Sequence, residues 1–337
     1  MTPMMTAQGT TTYPLLVVSN LSVGFHTRGG VVDAVRGVSF SVRAGETLAI
    51  LGESGSGKSV TALSLLGLSG PNARVSGRAE FLGTDLISLS ESQRRQYRGQ
   101  RIAMVFQDAL AALNPVQTVG AQIGEVFRVH AGASRKEARL RAIEMMDRVR
   151  IPGAASRADD HPHQFSGGMR QRIMIAMALA FDPDLLIADE PTTALDVTIQ
   201  AQIMRLLADL QDENGMGLIL ITHDLDIGAA MADQVAVMYA GRIVESCRSA
   251  ELLTSAQHPY TQALLRSAPR FLHGGERLVP ITGAPPALTH MPAGCAFHPR
   301  CPSNADGCAS VRPLLRPIGV RHDAACHYAK DVDAAAN

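Results

Sequence analysis

The sequence predicts an α/β protein built on a mostly parallel sheet, and three observations carry that prediction. First, the apolar run Thr47 to Leu51 enters a glycine-rich turn, Gly52-Glu53-Ser54-Gly55-Ser56-Gly57-Lys58-Ser59, and a helical pattern follows at Val60, Leu63, Leu65, Leu66 and Leu68. Second, the runs Leu185 to Glu190 and Gly217 to Thr222 read as buried strands, with a helix from Asp196 to about Gln211 between them. Strands alternating with helices in this way imply parallel pairing. Third, residues 109–165 carry a helical pattern that no strand interrupts, as expected of a helical insert placed between strands of the core.

The glycine-rich turn is the organising element. Strand, turn and helix in that order make G-x-x-x-x-G-K-[ST] a phosphate cradle, or P-loop. Glycines let successive N–H groups turn inward around an anion where a Cβ would crowd the oxygens. The new helix directs its positive dipole end at the same charge. Lys58 is placed to reach the β- and γ-phosphate oxygens, and Ser59 offers a hydroxyl to Mg²⁺. The chain is therefore expected to bind a nucleoside triphosphate.

Taken from the start, residues 1–14 read as a polar, threonine-rich leader without a basic or apolar signal segment. Leu15 to Val18, Leu21 to Phe25 and Val38 to Val42 read as strands of an antiparallel β subdomain, with Arg28-Gly29-Gly30 as a hairpin turn. Phe25 closes its strand, suited either to stacking on an adenine face or to filling core. A β-like stretch follows at Val75 to Leu82, then a strand from Arg101 to Phe106 that ends at Gln107. Within the insert, Ser134-Arg135-Lys136-Glu137 is a capping box, and Leu140, Ile143, Met146 and Val149 are expected to share a buried face. Val235 to Tyr239 and Arg242 to Glu245, split by Ala240-Gly241, read as a final hairpin.

Bulk properties narrow the function classes. Lys plus Arg and Asp plus Glu both number 31, so no net field draws the chain to nucleic acid or anionic lipid. The longest apolar run, Ile173 to Phe181, is too short to span a bilayer, which needs about 20 residues.

The residues of the chemistry lie at strand ends. Asp189 and Glu190 follow four apolar residues and emerge at the carboxyl edge of the sheet, where ligands of open α/β sheets sit. Asp189 suits Mg²⁺; Glu190, pointing elsewhere, suits activation of an attacking water. His223 and Gln107 each end a strand and can reach metal, water or a γ-phosphate, though neither is informative alone. Ser166-Gly167-Gly168-Met169-Arg170-Gln171 opens another helix with a bare, serine-capped start, a second anion-binding terminus. One triphosphate cannot easily use both starts of one chain with a helical insert between them. Two chains paired head to tail remove the difficulty.

The order of these motifs resembles the ATPase subunit of an ATP-binding-cassette transporter over residues of about 15–250. On that resemblance Phe25 is the adenine-stacking aromatic, Gly52 to Ser59 the Walker A loop, Gln107 the Q-loop, and Leu185 to Asp189 Walker B. Glu190 becomes the catalytic glutamate, Ala194-Leu195-Asp196 the D-loop and His223 the switch histidine. The signature departs from the usual LSGGQ: Phe165 stands for leucine, and Met169-Arg170 precede Gln171. The resemblance implies nucleotide contacts from Gly52, Glu53, Ser54, Gly55, Ser56, Gly57, Lys58, Ser59 and Thr61 on one subunit, completed by Ser166, Gly167, Gly168, Gln171 and Asp196. Ser59, Gln107 and Asp189 are the implied Mg²⁺ set, and Glu190, His223 and Gln107 the catalytic one.

Residues 249–337, following a cassette of 15–248, narrow the branch. His258-Pro259-Tyr260, Gly283-Ala284-Pro285-Pro286 and Cys295-Ala296-Phe297-His298-Pro299-Arg300-Cys301 resemble the C-terminal extension of oligopeptide and dipeptide importer ATPases. Nickel and glutathione importers share that extension, and soluble cassette ATPases of DNA repair or translation are the other class, which this chain, without heptads or a basic patch, fits less well. Cys295, Cys301, Cys308 and Cys326, spaced C-x5-C-x6-C-x17-C among prolines, read as a metal site. Zinc favours tighter pairs, so a [4Fe-4S] cluster, as this branch of the family implies, is expected ahead of Zn²⁺ or free thiols, with His298, His322 and His327 near enough to substitute. The resemblance implies two membrane permease subunits, a second cassette subunit, an extracytoplasmic peptide-binding protein, and a peripheral position on the cytoplasmic face of the membrane.

Overall fold

The computed structural model describes residues 13–193, 195–268 and 279–332. Most of the expected leader, and Ala194 of the expected D-loop, lie outside the described residues.

The fold is the predicted one, a mixed α/β cassette with two sheets. In the smaller sheet β1 (Leu16–Thr27) pairs antiparallel with β2 (Gly30–Val42) on one side and with β4 (Ala73–Phe81) on the other, and β5 (Thr84–Asp85) closes the edge. Where two strands were expected between Leu15 and Phe25 there is one. The register slips between Val18 and Leu21, and Asn20 takes φ +50° with its N–H donating to Ser39 Oγ at 2.9 Å. A bulge thus interrupts the alternation without ending the strand.

The larger sheet is organised around β3 (Thr47–Leu51), which lies parallel between β8 (Gly217–Thr222) and β9 (Gln234–Tyr239). Outward from β8, β7 (Leu185–Asp189) and β6 (Ile102–Val105) continue the parallel run. Every residue of β3, β7 and β8 is buried, because helices cover both faces of a parallel sheet. On the far side β10 (Arg242–Arg248) turns back antiparallel to β9. Five parallel strands therefore end together at one edge, and α1 (Lys58–Leu65) starts there from the glycine-rich turn.

Between β4 and β6 lies α2 (Glu91–Tyr97). Between β6 and α7 (Gly167–Ala178) lie four helices: α3 (Ala109–Ala112), α4 (Val119–Ala131), α5 (Arg135–Arg148) and α6 (Ala154–Arg157). Thr118 caps α4, and the Ser134–Glu137 capping box starts α5. Val119, Ile123 and Phe127 share one core with Ala142, Met146 and Ile173, so the inserted helices are packed onto α7. The buried face of α5 runs through Ala138, Ala142, Met145 and Met146, whereas Leu140 is 54% exposed; small alanines, not the expected leucine, make the close approach.

Downstream of β7, α8 (Val197–Asn214) leads to β8, and α9 (Leu225–Met231) leads to β9. Beyond β10 come α10 (Ser249–Ser255) and α11 (Pro259–Ser267), then a loop-rich region carrying β11 (Arg316–Gly319) and β12 (His322–Ala324). Glu245 pairs with Ala324, so β12 and β11 extend the edge of the main sheet. Among the described residues no helix is long and apolar enough to cross a membrane.

Candidate active site

The glycine-rich turn holds a conformation that few other residues tolerate. Gly52 and Gly57 take φ +150° and +105°; a Cβ on Gly52 would lie 2.2 Å from Met238 O, and one on Gly57 would lie 2.6 Å from Ala34 O. Backbone packing on the outside of the loop, not only the room left inside it, demands glycine here. Lys58, only 4% exposed, folds back so that its Nζ donates to Gly52 O at 2.7 Å and Glu53 O at 3.0 Å. Burial lowers its pKa, opposed by the charges of Glu190, Asp189 and Glu53. A desolvated ammonium held by two carbonyls is a ready partner for phosphate oxygens.

The turn forms the floor of a cavity of about 730 Å³ lined also by Phe25, Val32, Gln107, Glu190 and His223. Phe25 is half-buried, packed on the core beneath it while also lining this cavity. Gly52, Glu53, Ser54, Gly55, Gly57, Lys58 and Ser59 all line the cavity. Ser56 is buried, its Oγ without a partner, and Thr61 spends its hydroxyl on Gly57 O at 2.9 Å, clasping the first turn of α1.

At the rim, Ser59 Oγ donates to Asp189 Oδ1 at 2.9 Å. Burial raises the Asp189 pKa; the Ser59 hydrogen bond and Lys58 act against burial, and Glu190 adds to it. A hydroxyl and a carboxylate facing one another beside a phosphate cradle are oxygen donors of the kind Mg²⁺ takes, so these residues fit that ion. The next residue departs from the strand. Glu190 has φ +46°, while its N–H still donates to Ile221 O at 2.9 Å. The reversal swings its carboxylate away from Asp189 toward three other groups. Gln107 Nε2 donates to Glu190 Oε2 at 3.0 Å, Thr193 Oγ1 donates to it at 2.9 Å, and His223 Nδ1 lies 3.2 Å away. Gln107 and His223, uninformative singly, thus meet on one carboxylate oxygen. Thr193 was not anticipated; its position three residues after Glu190 is the only signal the sequence offered.

The second helix start lies elsewhere. Ser166 is exposed and caps α7, accepting from Met169 N at 3.4 Å. Gly167 and Gln171 line a cavity with Gln107, Asp108, Thr192 and Thr193, whereas Lys58 lines the other one; Gln107 is common to both. Gly168 is packed so tightly that a Cβ would lie 2.4 Å from Ile199 Cγ2. Asp196 caps α8 through Ile199 N at 3.0 Å and lines neither cavity.

The metal reading of the C-terminal cysteines is corrected. Cys295, Cys301, Cys308 and Cys326 line one cavity of about 360 Å³, yet among the described residues no group of three or more His, Cys, Asp or Glu is placed to hold a metal ion. Burial raises the pKa of Cys295, Cys301 and Cys326, favouring thiol over the thiolate that iron or zinc requires. Two of the histidines thought able to substitute are engaged elsewhere, His322 with Glu245 at 2.8 Å and His327 with Val311 O at 2.8 Å. Neither the iron–sulfur cluster nor the zinc alternative is supported; loop spacing alone was too weak a signal for converging ligands.

Comparison with known proteins agrees with the geometry. Residues 35–193 match the family described as ABC transporter, and residues 244–308 match the oligopeptide/dipeptide transporter C-terminal region. A putative peptide import ATP-binding protein of Brucella abortus is 52% identical over 311 residues, covering 92% of this chain and 94% of that protein. The dipeptide transport ATP-binding protein DppD of Escherichia coli is 48% identical over 261 residues, 77% of this chain and 80% of that one. Among solved structures, a dimeric ATP-binding cassette in a post-hydrolysis state bound to ADP and Pi superposes with a TM-score of 0.62 at 28% identity, over 69% of this chain and 98% of that chain.

Proposed function

The chain belongs to the ATP-binding-cassette (ABC) transporter family, and we propose that it is the ATP-hydrolysing subunit that energises import of dipeptides or oligopeptides through a membrane permease. Family membership brings ATP and Mg²⁺ with it. The peptide cargo is supported by the oligopeptide/dipeptide C-terminal region and by the names of the relatives.

The observation that carries the hydrolytic reading is the convergence of Gln107, Thr193 and His223 on Glu190 beside the phosphate cradle. Lys58 leaves the carbonyls of Gly52 and Glu53 to meet the β- and γ-phosphate oxygens, and the loop N–H groups hold the rest of the tail. Mg²⁺, when bound, is held by Ser59, Asp189 and Gln107 and offsets charge on the phosphate oxygens. Glu190 accepts a proton from the attacking water, while Gln107 and Thr193 fix the carboxylate and His223 orients the water. Phe25 stacks on the base.

Ser166, Gly167 and Gly168 of a second cassette subunit complete the site from the opposite side. Closure of the pair on ATP and its opening after hydrolysis move two permease subunits, because ATP binds the closed arrangement better than the open one. The subunit then lies at the cytoplasmic face of the membrane and receives cargo indirectly, from an extracytoplasmic peptide-binding protein.

Reconstitution tests this. With permease, partner cassette and peptide-binding protein in vesicles, di- or oligopeptide is expected to stimulate ATP hydrolysis and to accumulate inside. Stimulation by nickel or glutathione, with none by peptide, would overturn the cargo.

A further inference from the structure

The three extension motifs are unexplained by hydrolysis, yet two of them meet on one residue of the phosphate loop, Glu53, through Tyr260 and Arg300. Arg300 forms a bidentate ion pair with Glu53, its Nη1 at 2.7 Å from Oε2 and its Nη2 at 2.9 Å from Oε1, across 247 residues of chain. The Arg300 side chain is 4% exposed. Its Nε donates to Thr282 O at 3.0 Å, beside Gly283, and its guanidinium lies 5.8 Å from the ring centroids of Tyr239 and Phe297. Tyr260, fully buried against those same two rings, accepts the Glu53 N–H on its hydroxyl at 2.8 Å. Both the side chain and the backbone of Glu53 are therefore held from residues 258–301, although Glu53 itself sits between the first two glycines of the loop.

Glu53 is an awkward residue in that place. The loop receives a polyanion, and the Glu53 carboxylate is close enough to be felt at Lys58. A free carboxylate there would repel phosphate and compete for the lysine. The fork of Arg300 matches a carboxylate geometrically and both neutralises and fixes it.

We propose that Arg300 is a positioning residue for nucleotide binding: it holds the Glu53 carboxylate out of the phosphate cradle, so that the C-terminal extension sets the affinity of the loop for ATP. This rests on the reading of residues 52–59 as the ATP site. The alternative is a salt bridge that only fastens the extension to the core, and the two differ in one respect. If Arg300 acts through the Glu53 charge, its loss weakens MgATP binding, and only while that charge is present, whereas loss of a mere fastening lowers the melting temperature and leaves MgATP affinity unchanged.

A double-mutant cycle on the full-length chain tests this, read as the dissociation constant for MgATP with melting temperature followed in parallel. Arg300→Ala is expected to weaken binding about tenfold, as removal of one partner of a buried charge pair leaves the other uncompensated. In the Glu53→Gln background the same change is expected to cost less than about twofold, because no charge remains to be held off. Arg300→Lys, which keeps charge but loses the fork, is expected to fall between Arg300→Ala and the unsubstituted chain. Equal losses in both backgrounds, or no loss in either, overturn the proposal. Should Arg300→Ala fail to fold, Arg300→Lys carries the same comparison between backgrounds. Absence of MgATP binding by the unsubstituted chain would overturn the nucleotide reading itself, whereas normal binding that is indifferent to Arg300 overturns only this inference.

Discussion

The amide of Gln107 donates to the carboxylate of Glu190 at 3.0 Å, joining the residues that follow β6 and β7 across the mouth of the phosphate cradle. Gln107 leads directly into α3, the first of the inserted helices, and Asp108 caps that helix through Leu110 N at 2.8 Å. One side chain thus ties the start of the insert to the proposed general base. Replacement of Gln107 by Ala removes the link while leaving the cradle intact. Hydrolysis by the assembled transporter is expected to fall about tenfold, with a smaller change in KM for ATP, a split that steady-state kinetics resolves.

Glu190→Gln tests the carboxylate directly. The amide retains the size and one acceptor but cannot take a proton at neutral pH, so turnover is expected to drop by roughly 10²–10⁴-fold, the usual worth of a general base. MgATP binding, measured by fluorescence of a labelled nucleotide, is expected to persist, since Lys58 and the loop N–H groups are untouched. Undiminished turnover would remove Glu190 from its role.

The loop glycines separate two physical demands. Gly52→Ala combines positive φ with a Cβ 2.2 Å from Met238 O, a backbone atom that cannot swing away; Gly55→Ala has φ +78° and nothing within 4 Å. The first is expected to cost well over the roughly 1–2 kcal/mol of left-handed strain that the second costs alone. Melting of the nucleotide-free chain isolates this from any effect on binding, and a larger drop for Gly55→Ala would contradict it.

How far these features could be read from sequence depended on how local their cause was. The phosphate loop was legible because strand, glycines, lysine and helix follow one another within a few residues, and the Leu185–Ala188 run announced a buried strand by composition alone. Asn20 hid the continuity of β1, since a bulge breaks alternation as a turn does. Pairing of β12 with β10, and of Arg300 with Glu53, depends on residues far apart in the chain, and no local pattern encodes those contacts. The cysteines failed in the opposite sense: their spacing was visible and they do line one cavity, but the geometry of a metal site is a property of the folded loops, and among the described residues no such group forms.

His258 makes the extension sensitive to acid. It is 1% exposed, and its Nδ1 accepts from Tyr260 N at 3.0 Å, capping α11 as a neutral imidazole. Burial lowers its pKa from 6.5 to about 4, with the nearby Glu245 charge opposing. Between these values the unfolded chain takes up a proton that the folded one refuses, so stability is complete above pH 6.5 and is lost as pH falls toward 4. The loss from this residue approaches about 3 kcal/mol at the acid end. His258→Asn, which keeps a cap acceptor without the titration, is expected to flatten the melting temperature over that window; an unchanged slope would assign the acid sensitivity to other groups.

Gly167, next to Ser166, and Lys58 line different cavities, which bears on whether one copy suffices for hydrolysis. Ser166 is exposed at the start of α7, with nothing of its own chain's phosphate loop lining the cavity beside it. Ser166→Arg places a bulky side chain at that start, so the partner's nucleotide loses its lid while the chain's own cradle is unaltered. MgATP binding by the isolated chain is expected to be retained, and hydrolysis by the assembled transporter to fall roughly a hundredfold, the scale on which removal of a donor to a developing anion acts. A variant that lost binding as an isolated chain would show that Ser166 serves its own cradle. A variant that hydrolysed ATP at the original rate would show that the lid is not needed.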